Sequence, residues 1–184
     1  MSELEKMRRG EHYFINDPEL VEIRHAVRDN VDRYNALGHR ETARQQQLLA
    51  EIFGQVGDDV HIEKNLRVDY GMNTRLGSHV FINFNFVLLD CAPVNIGNHV
   101  FIGPDVQLYT AHHPLNPGER GRHIGWAEPV TLSDNVWIAG GCIILPGVTI
   151  GENTTIGAGS VVTRPIPANV VACGNPCRVL RALP

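Results

Sequence analysis

A large aliphatic residue returns at every sixth position through the second half of the chain: Leu132, Ile138, Ile144, Ile150, Ile156, Val162. Two residues before each, a second set keeps the same step, at Val130, Val136, Cys142, Val148, Thr154 and Ser160. Upstream the pattern recurs as Ile96, Ile102, Leu108, as Leu76, Ile82, Leu88, and as Ile62, Val68. The step widens to eight from Val68 to Leu76 and from Leu88 to Ile96. A helix would repeat at roughly 3.6 and a half-buried strand at about 2, so a sustained six excludes both. A short strand and a tight turn, repeated every six residues, build flat faces whose stacked rungs bury the aliphatics. The pattern therefore predicts a parallel β-helix. Glycine follows the aliphatic at Gly97, Gly103, Gly151 and Gly157, where a corner has a positive φ or crowded backbones.

Residues 1–54 lack this texture and read as a helical segment ahead of a β-helix domain over 55–184. Ser2 and Glu5 form a capping-box pattern for a short helix stopping near Gly10. Asp17-Pro18 starts a second helix with Leu20, Ile23, Val27 and Val31 on one face. A third runs from Thr42 to Phe53, with Gly54 as its stop. None carries an obvious chemical group, so the segment reads as a flap or packing element.

The hexads are interrupted between Leu108 and Leu132, an interval of 24 residues, as if a loop had been ejected from the prism. The loop, 109–129, holds three of the nine histidines, a tryptophan and three prolines. Loops longer than about 12–15 residues in compact domains are functional or disordered, and these stiff, sticky residues favour function. Within it, His112-His113-Pro114 is the focal point. Adjacent side chains on extended backbone point to opposite sides, so one of the two histidines is expected to face a given cleft. Pro114 biases His113 toward extended backbone. Imidazole, with a pKa near ~6.5, can take a hydroxyl proton at neutral pH.

The net charge of −4 offers no general attraction to nucleic acid or to an anionic membrane. No stretch approaches the ~20 apolar residues of a membrane span, and the polar Met1-Ser2-Glu3-Leu4-Glu5-Lys6 start lacks a signal-peptide core, so the expectation is cytoplasmic. Cys91, Cys142, Cys173 and Cys177 are too scattered for a zinc site or disulfide framework and are expected to be reduced and buried.

These residues resemble, end to end, the maltose/galactoside/nodulation-factor O-acetyltransferases of the hexapeptide-repeat acyltransferase superfamily. The likeness is carried by Glu5-Lys6-Met7 through Gly10-Glu11, Asn83-Phe84-Asn85, Leu89-Asp90 and Tyr109 through Pro114. It continues in Asn135 through Ile138, Pro146 through Gly151, Gly157 through Thr163 and Gly174 through Val179. The resemblance implies a left-handed β-helix, a homotrimer with active sites between subunits, acetyl-CoA as donor, a sugar or glycoside as acceptor, and no required metal. It implies His113 as general base, with Asn83, Asp90, Asp69 and Asp17 on the acceptor side. On the donor side it implies Trp137 along the pantetheine arm, Gly103 and Gly140 near the thioester, Gly140 as oxyanion donor, and Ala158, Thr163, Arg164 and Arg178 along the arm or phosphates. Asp69 stands where some relatives carry a small hydroxyl residue and Cys91 where galactoside enzymes carry a second carboxylate, so the acceptor stays open. Two other readings compete. One is a metalloenzyme similar to the γ-class carbonic anhydrases, drawing on His79, His99, His112, His113 and His123. The other is a non-catalytic β-helix scaffold.

Overall fold

The computed structural model describes residues 1–184. Short strands stack in parallel into three sheets, the faces of a prism. The first face holds Gln55–Val56, Thr74–Leu76, Val94–Ile96, Val130–Leu132 and Thr149–Ile150. The second holds His61–Ile62, Phe81–Ile82, Phe101–Ile102, Trp137–Ile138, Thr155–Ile156 and Val170–Cys173, with Arg178–Ala182 added antiparallel. The third holds Arg67–Val68, Val87–Leu89, Gln107–Tyr109, Ile143–Ile144 and Val161–Val162. The chain visits the faces in that order, coil after coil. This is the β-helix that the six-residue step predicts.

Register explains why the step is so regular. Leu76 pairs with Ile96, Ile96 with Leu132, and Leu132 with Ile150, so each interior column is aliphatic from coil to coil. These residues are almost fully buried in one core cluster. Burying each side chain contributes about 1.5–3 kcal/mol.

The corners obey a different rule from the faces. Of the two reasons offered for glycine after the aliphatic, crowding is the one that holds. A Cβ on Gly103 would lie 2.5 Å from the Gly140 nitrogen, and one on Gly77 2.6 Å from the Gly97 backbone. Positive φ falls two residues later, on His79, His99, Asp105 and Asn153.

The third corner, between the third face and the first, is the wide one. Both eight-residue steps cross it, and the 109–129 loop leaves from it. The interval from Leu108 to Leu132 is thus one enlarged corner.

Three helices precede the prism: α1 (Glu3–Arg8), α2 (Pro18–Ala36) and α3 (Thr42–Ile52). The α1 capping box forms as the sequence suggests. Val31 and Tyr34 of α2, with Leu48, Leu49 and Ile52 of α3, join the prism core, and the Tyr34 hydroxyl donates to the Ile62 carbonyl. Helices α2 and α3 therefore cover the first coil. A smaller apolar cluster of Met7, Tyr13, Leu20, Tyr70, Cys91, Ala92 and Ala127 ties α1 and α2 to the wide corner. No helix is long and apolar enough to cross a membrane. All four cysteines are free, three of them buried and Cys173 half-buried.

Candidate active site

The loop is built rather than loose. Ala111–His112 pairs antiparallel with Ile124–Ala127, whose other edge takes Tyr13–Phe14 from the N-terminal segment. A single helical turn, Pro117–Arg120, capped by Asn116, fills the tip. This small sheet holds one wall of a cavity of about 250 Å³.

Four elements converge there. The sheet contributes Tyr13, Ile15, Ala111, His112 and His113; α2 contributes Arg24 and Arg28; the wide corner contributes Asp69, Tyr70 and Cys91. Leu89 completes the floor. Both histidines line the cavity, contrary to the expectation of one. The strand ends at His112, so strand alternation does not carry across to His113. His113 Nδ1 lies 3.5 Å from the Ile124 carbonyl. His112 stacks on Trp126, with centroids 5.1 Å apart, and its Nε2 lies 3.5 Å from Glu128 Oε2.

Cationic and neutral groups share this space. An Arg24 N–H donates to the Tyr70 hydroxyl at 2.5 Å and another to the Ile15 carbonyl at 3.0 Å. Arg28 donates to Asp69 at 3.0 Å. Burial pushes the Cys91 thiol and the Tyr70 hydroxyl each up to about 12, so both are neutral at physiological pH. The arginines are the residues that the sequence reading missed: the helical segment is part of the site wall, not only packing. On α2 they sit one turn apart at Arg24 and Arg28, a spacing that could have signalled a common face.

Three acceptor-side expectations, Asp90, Asp17 and Asn83, do not reach the cavity. Asp90 is fully buried beneath the corner. Its carboxylate accepts from the Tyr70 N–H at 2.8 Å and the Thr74 hydroxyl at 2.9 Å. Burial pushes its pKa up to about 7, against the pull of those donors. Asp17 caps α2, accepting from the Glu19 N–H at 3.0 Å, and Ile15 lines the wall instead. Only Asp69 of the three aspartates borders the cavity.

The remaining expected residues lie elsewhere. Asn83 follows the second face at the second corner, its Oδ1 accepting from the Phe84 N–H. Gly103, Gly140 and Ala158 occupy the same corner on later coils. Gly103 spends its N–H on the Ile138 carbonyl, whereas the N–H groups of Gly140 and Ala158 donate to no backbone carbonyl. Trp137 lies just before this corner, 54% exposed, beside Phe101. Thr163 and Arg164 follow the last strand of the third face and return to the third corner, both exposed. Arg178 opens the antiparallel strand, exposed, and donates to its neighbour Cys177. The third face separates the Asn83–Gly140 corner from the His113 corner, and no second-corner residue lines the His113 cavity.

The histidines of the metalloenzyme reading are likewise divided. His79 and His99 stack 4.7 Å apart at the first corner, away from the loop. Within the chain no three His, Cys, Asp or Glu side chains are arranged to hold a metal ion.

Known proteins share this architecture and sequence. The hexapeptide capping motif of maltose acetyltransferases matches residues 6–57, and six bacterial transferase hexapeptides match 129–164. The galactoside O-acetyltransferase of Lactococcus lactis is 37% identical over all of this chain and 90% of its own. A maltose O-acetyltransferase from Clostridium difficile 630 superposes with a TM-score of 0.98 at 43% identity, covering 100% of this chain and 98% of that one. A galactoside acetyltransferase in complex with coenzyme A superposes at 0.95 with 37% identity, covering 100% and 92%. By sequence over its full length and by fold, the chain belongs to the maltose/galactoside O-acetyltransferase family of hexapeptide-repeat acetyltransferases.

Proposed function

We propose that the protein transfers an acetyl group from acetyl-CoA to a sugar hydroxyl, in a site shared between two copies of the chain within a homotrimer. The observation that carries this reading is the division of the site. His113 lines a cavity at the third corner, an unpaired amide and an exposed tryptophan stand at the second, and a whole face lies between. Neither half suffices alone. Cyclic association of identical chains brings one copy's second corner against the next copy's third.

In the assembled site His113 donates its Nδ1–H to the Ile124 carbonyl, which leaves Nε2 free as the base. Nε2 takes the proton of the acceptor hydroxyl as its oxygen bonds to the thioester carbon. The Gly140 N–H of the neighbouring copy holds the developing oxyanion, and Trp137 packs along the pantetheine arm. Collapse breaks the carbon–sulfur bond, and the leaving thiolate takes the proton from the imidazolium. Cys91 borders the cavity, but its thiol, pushed up to about 12, stays protonated and so is a poor nucleophile. Attack is therefore direct, with both substrates bound. Asn83 and Asp69 serve the acceptor, and Gly103, Ala158, Thr163, Arg164 and Arg178 serve the donor.

Release of free thiol from acetyl-CoA, measured with a panel of sugars, tests the activity. If no sugar raises release above the hydrolysis background, the sugar reading is lost. Subunit mixing tests the shared site. A His113→Ala chain and a Gly140→Pro chain, each inactive alone, should regain activity at about a quarter of the sites when refolded together. A mixture that stays inactive contradicts a site built across copies.

A further inference from the structure

A second cavity of about 330 Å³ adjoins the one beside His113. The two share Arg28, Asp69 and Leu89. Their partition is in effect the Arg28–Asp69 ion pair, 3.0 Å long, with the arginine side chain 55% exposed. A pair so exposed is weak and can open around a ligand. The first cavity alone falls below the ~300–1,000 Å³ of ordinary ligand sites, whereas the two together fall inside that range.

The far compartment has a distinct lining. The half-buried Leu89, with the nearly buried Val31 and Val68 behind it, makes a small apolar floor. Asp32, one turn beyond Arg28 on α2, and Arg67 on the third face complete a rim of two carboxylates and two guanidiniums. Each sugar hydroxyl both donates and accepts, so it can satisfy either kind of rim group, while a ring's C–H face can lie on that floor. The balanced charges give no advantage to an anion, and no aromatic side chain is present to stack on a base.

Resting on the acetyl-transfer reading above, we infer that the acceptor is an oligosaccharide of at least two linked rings. The acetylated ring sits beside His113, and the next ring crosses the Arg28–Asp69 pair into the second compartment. Asp32 and Arg67, remote from the reacting atoms, set the preference for chain length.

The test is kcat/KM for acetylation of a hexose methyl glycoside and of matching di- and trisaccharides. It is run with the parent protein and with a double Asp32→Ala, Arg67→Ala variant. Both side chains are exposed, and their loss leaves the net charge unchanged. The parent should favour the disaccharide by about tenfold, chiefly through KM, as two or three added hydrogen bonds would give. The trisaccharide should add little. The variant should lose that preference while acetylating the monosaccharide at the parent rate. Equal rates for mono- and disaccharide in the parent, or an unchanged preference in the variant, overturn the subsite while leaving acetyl transfer intact. Loss of monosaccharide turnover in the double variant also overturns it as stated, because Asp32 and Arg67 would then act on the first ring. Failure of the parent to acetylate any sugar overturns the underlying reading instead.

Discussion

Replacing Asp90 by alanine removes an acceptor that serves two donors at once. The carboxylate is fully buried and takes hydrogen bonds from the Tyr70 N–H and the Thr74 hydroxyl. Each buried donor left without a partner costs about 1–3 kcal/mol. Thr74 can turn its hydroxyl, so the total is about 2–4 kcal/mol, a large share of the roughly 5–15 kcal/mol that stabilises a typical domain. At about 2–4 °C per kcal/mol for a chain of this size, the melting temperature should fall by on the order of 10 °C. The measurement is thermal unfolding at fixed protomer concentration, because association contributes to stability, paired with kcat/KM at a temperature where the variant is folded. If the variant melts within a degree or two of the parent and instead loses acceptor affinity, Asp90 is a substrate contact and the brace reasoned from its burial is wrong.

The same residue yields a signed pH dependence. Its pKa in the folded protein, about 7, exceeds the ordinary unfolded value. Between about pH 4 and pH 7 the folded state retains a proton that the unfolded state has released, so stability declines as pH rises through that window. Asparagine cannot titrate. The stability gap between the parent and Asp90→Asn should therefore narrow from pH 5 to pH 8, by at most about 1.4 kcal/mol per pH unit. Urea midpoints at the two pH values measure it, and a constant gap contradicts the raised pKa.

Other outcomes follow from the site geometry. His113→Ala should lower kcat by about 10²–10⁴ without changing the unfolding curve, since a general base contributes that much and this histidine makes only one loose contact through its ring. Trp137→Ala should raise KM for acetyl-CoA several-fold with little loss of stability, because the side chain is 54% exposed; an unchanged KM removes it from the donor path. Gly103→Ala should both destabilise the protein by about 1–3 kcal/mol, as overpacking does, and slow turnover, since the new Cβ would press within 2.5 Å of the Gly140 nitrogen.

What could be read from the residues, and what could not, follows from how far apart the contacting groups lie in sequence. Each rung needs only a residue like the one stacked above it, so the aliphatic step survives as a period that any window reveals. The cavity wall has no such period. Arg24 meets a tyrosine 46 residues away and Arg28 an aspartate 41 residues away, and on α2 both flank an apolar stripe where arginine is normally solvated. Resemblance put Asp90 among the acceptor residues but could not say that its carboxylate turns under the floor. Asp17 went to its cap for the reason the Asp-Pro pair announced.

One signal of the site was nevertheless present before the loop. A corner crossed in a six-residue step has no spare chain, since its turn residues are spent on crowded glycines and positive φ. Only the third corner carries two extra residues in successive coils, at 69–75 and 89–95, and those coils supply Asp69, Tyr70, Leu89 and Cys91 to the cavity. The loop enlarges a widening that had already been repeated twice. A departure from strict periodicity that recurs at the same corner is thus a better pointer to function in such a prism than the loop's composition, because it marks where the backbone is free to leave the ladder without breaking a rung.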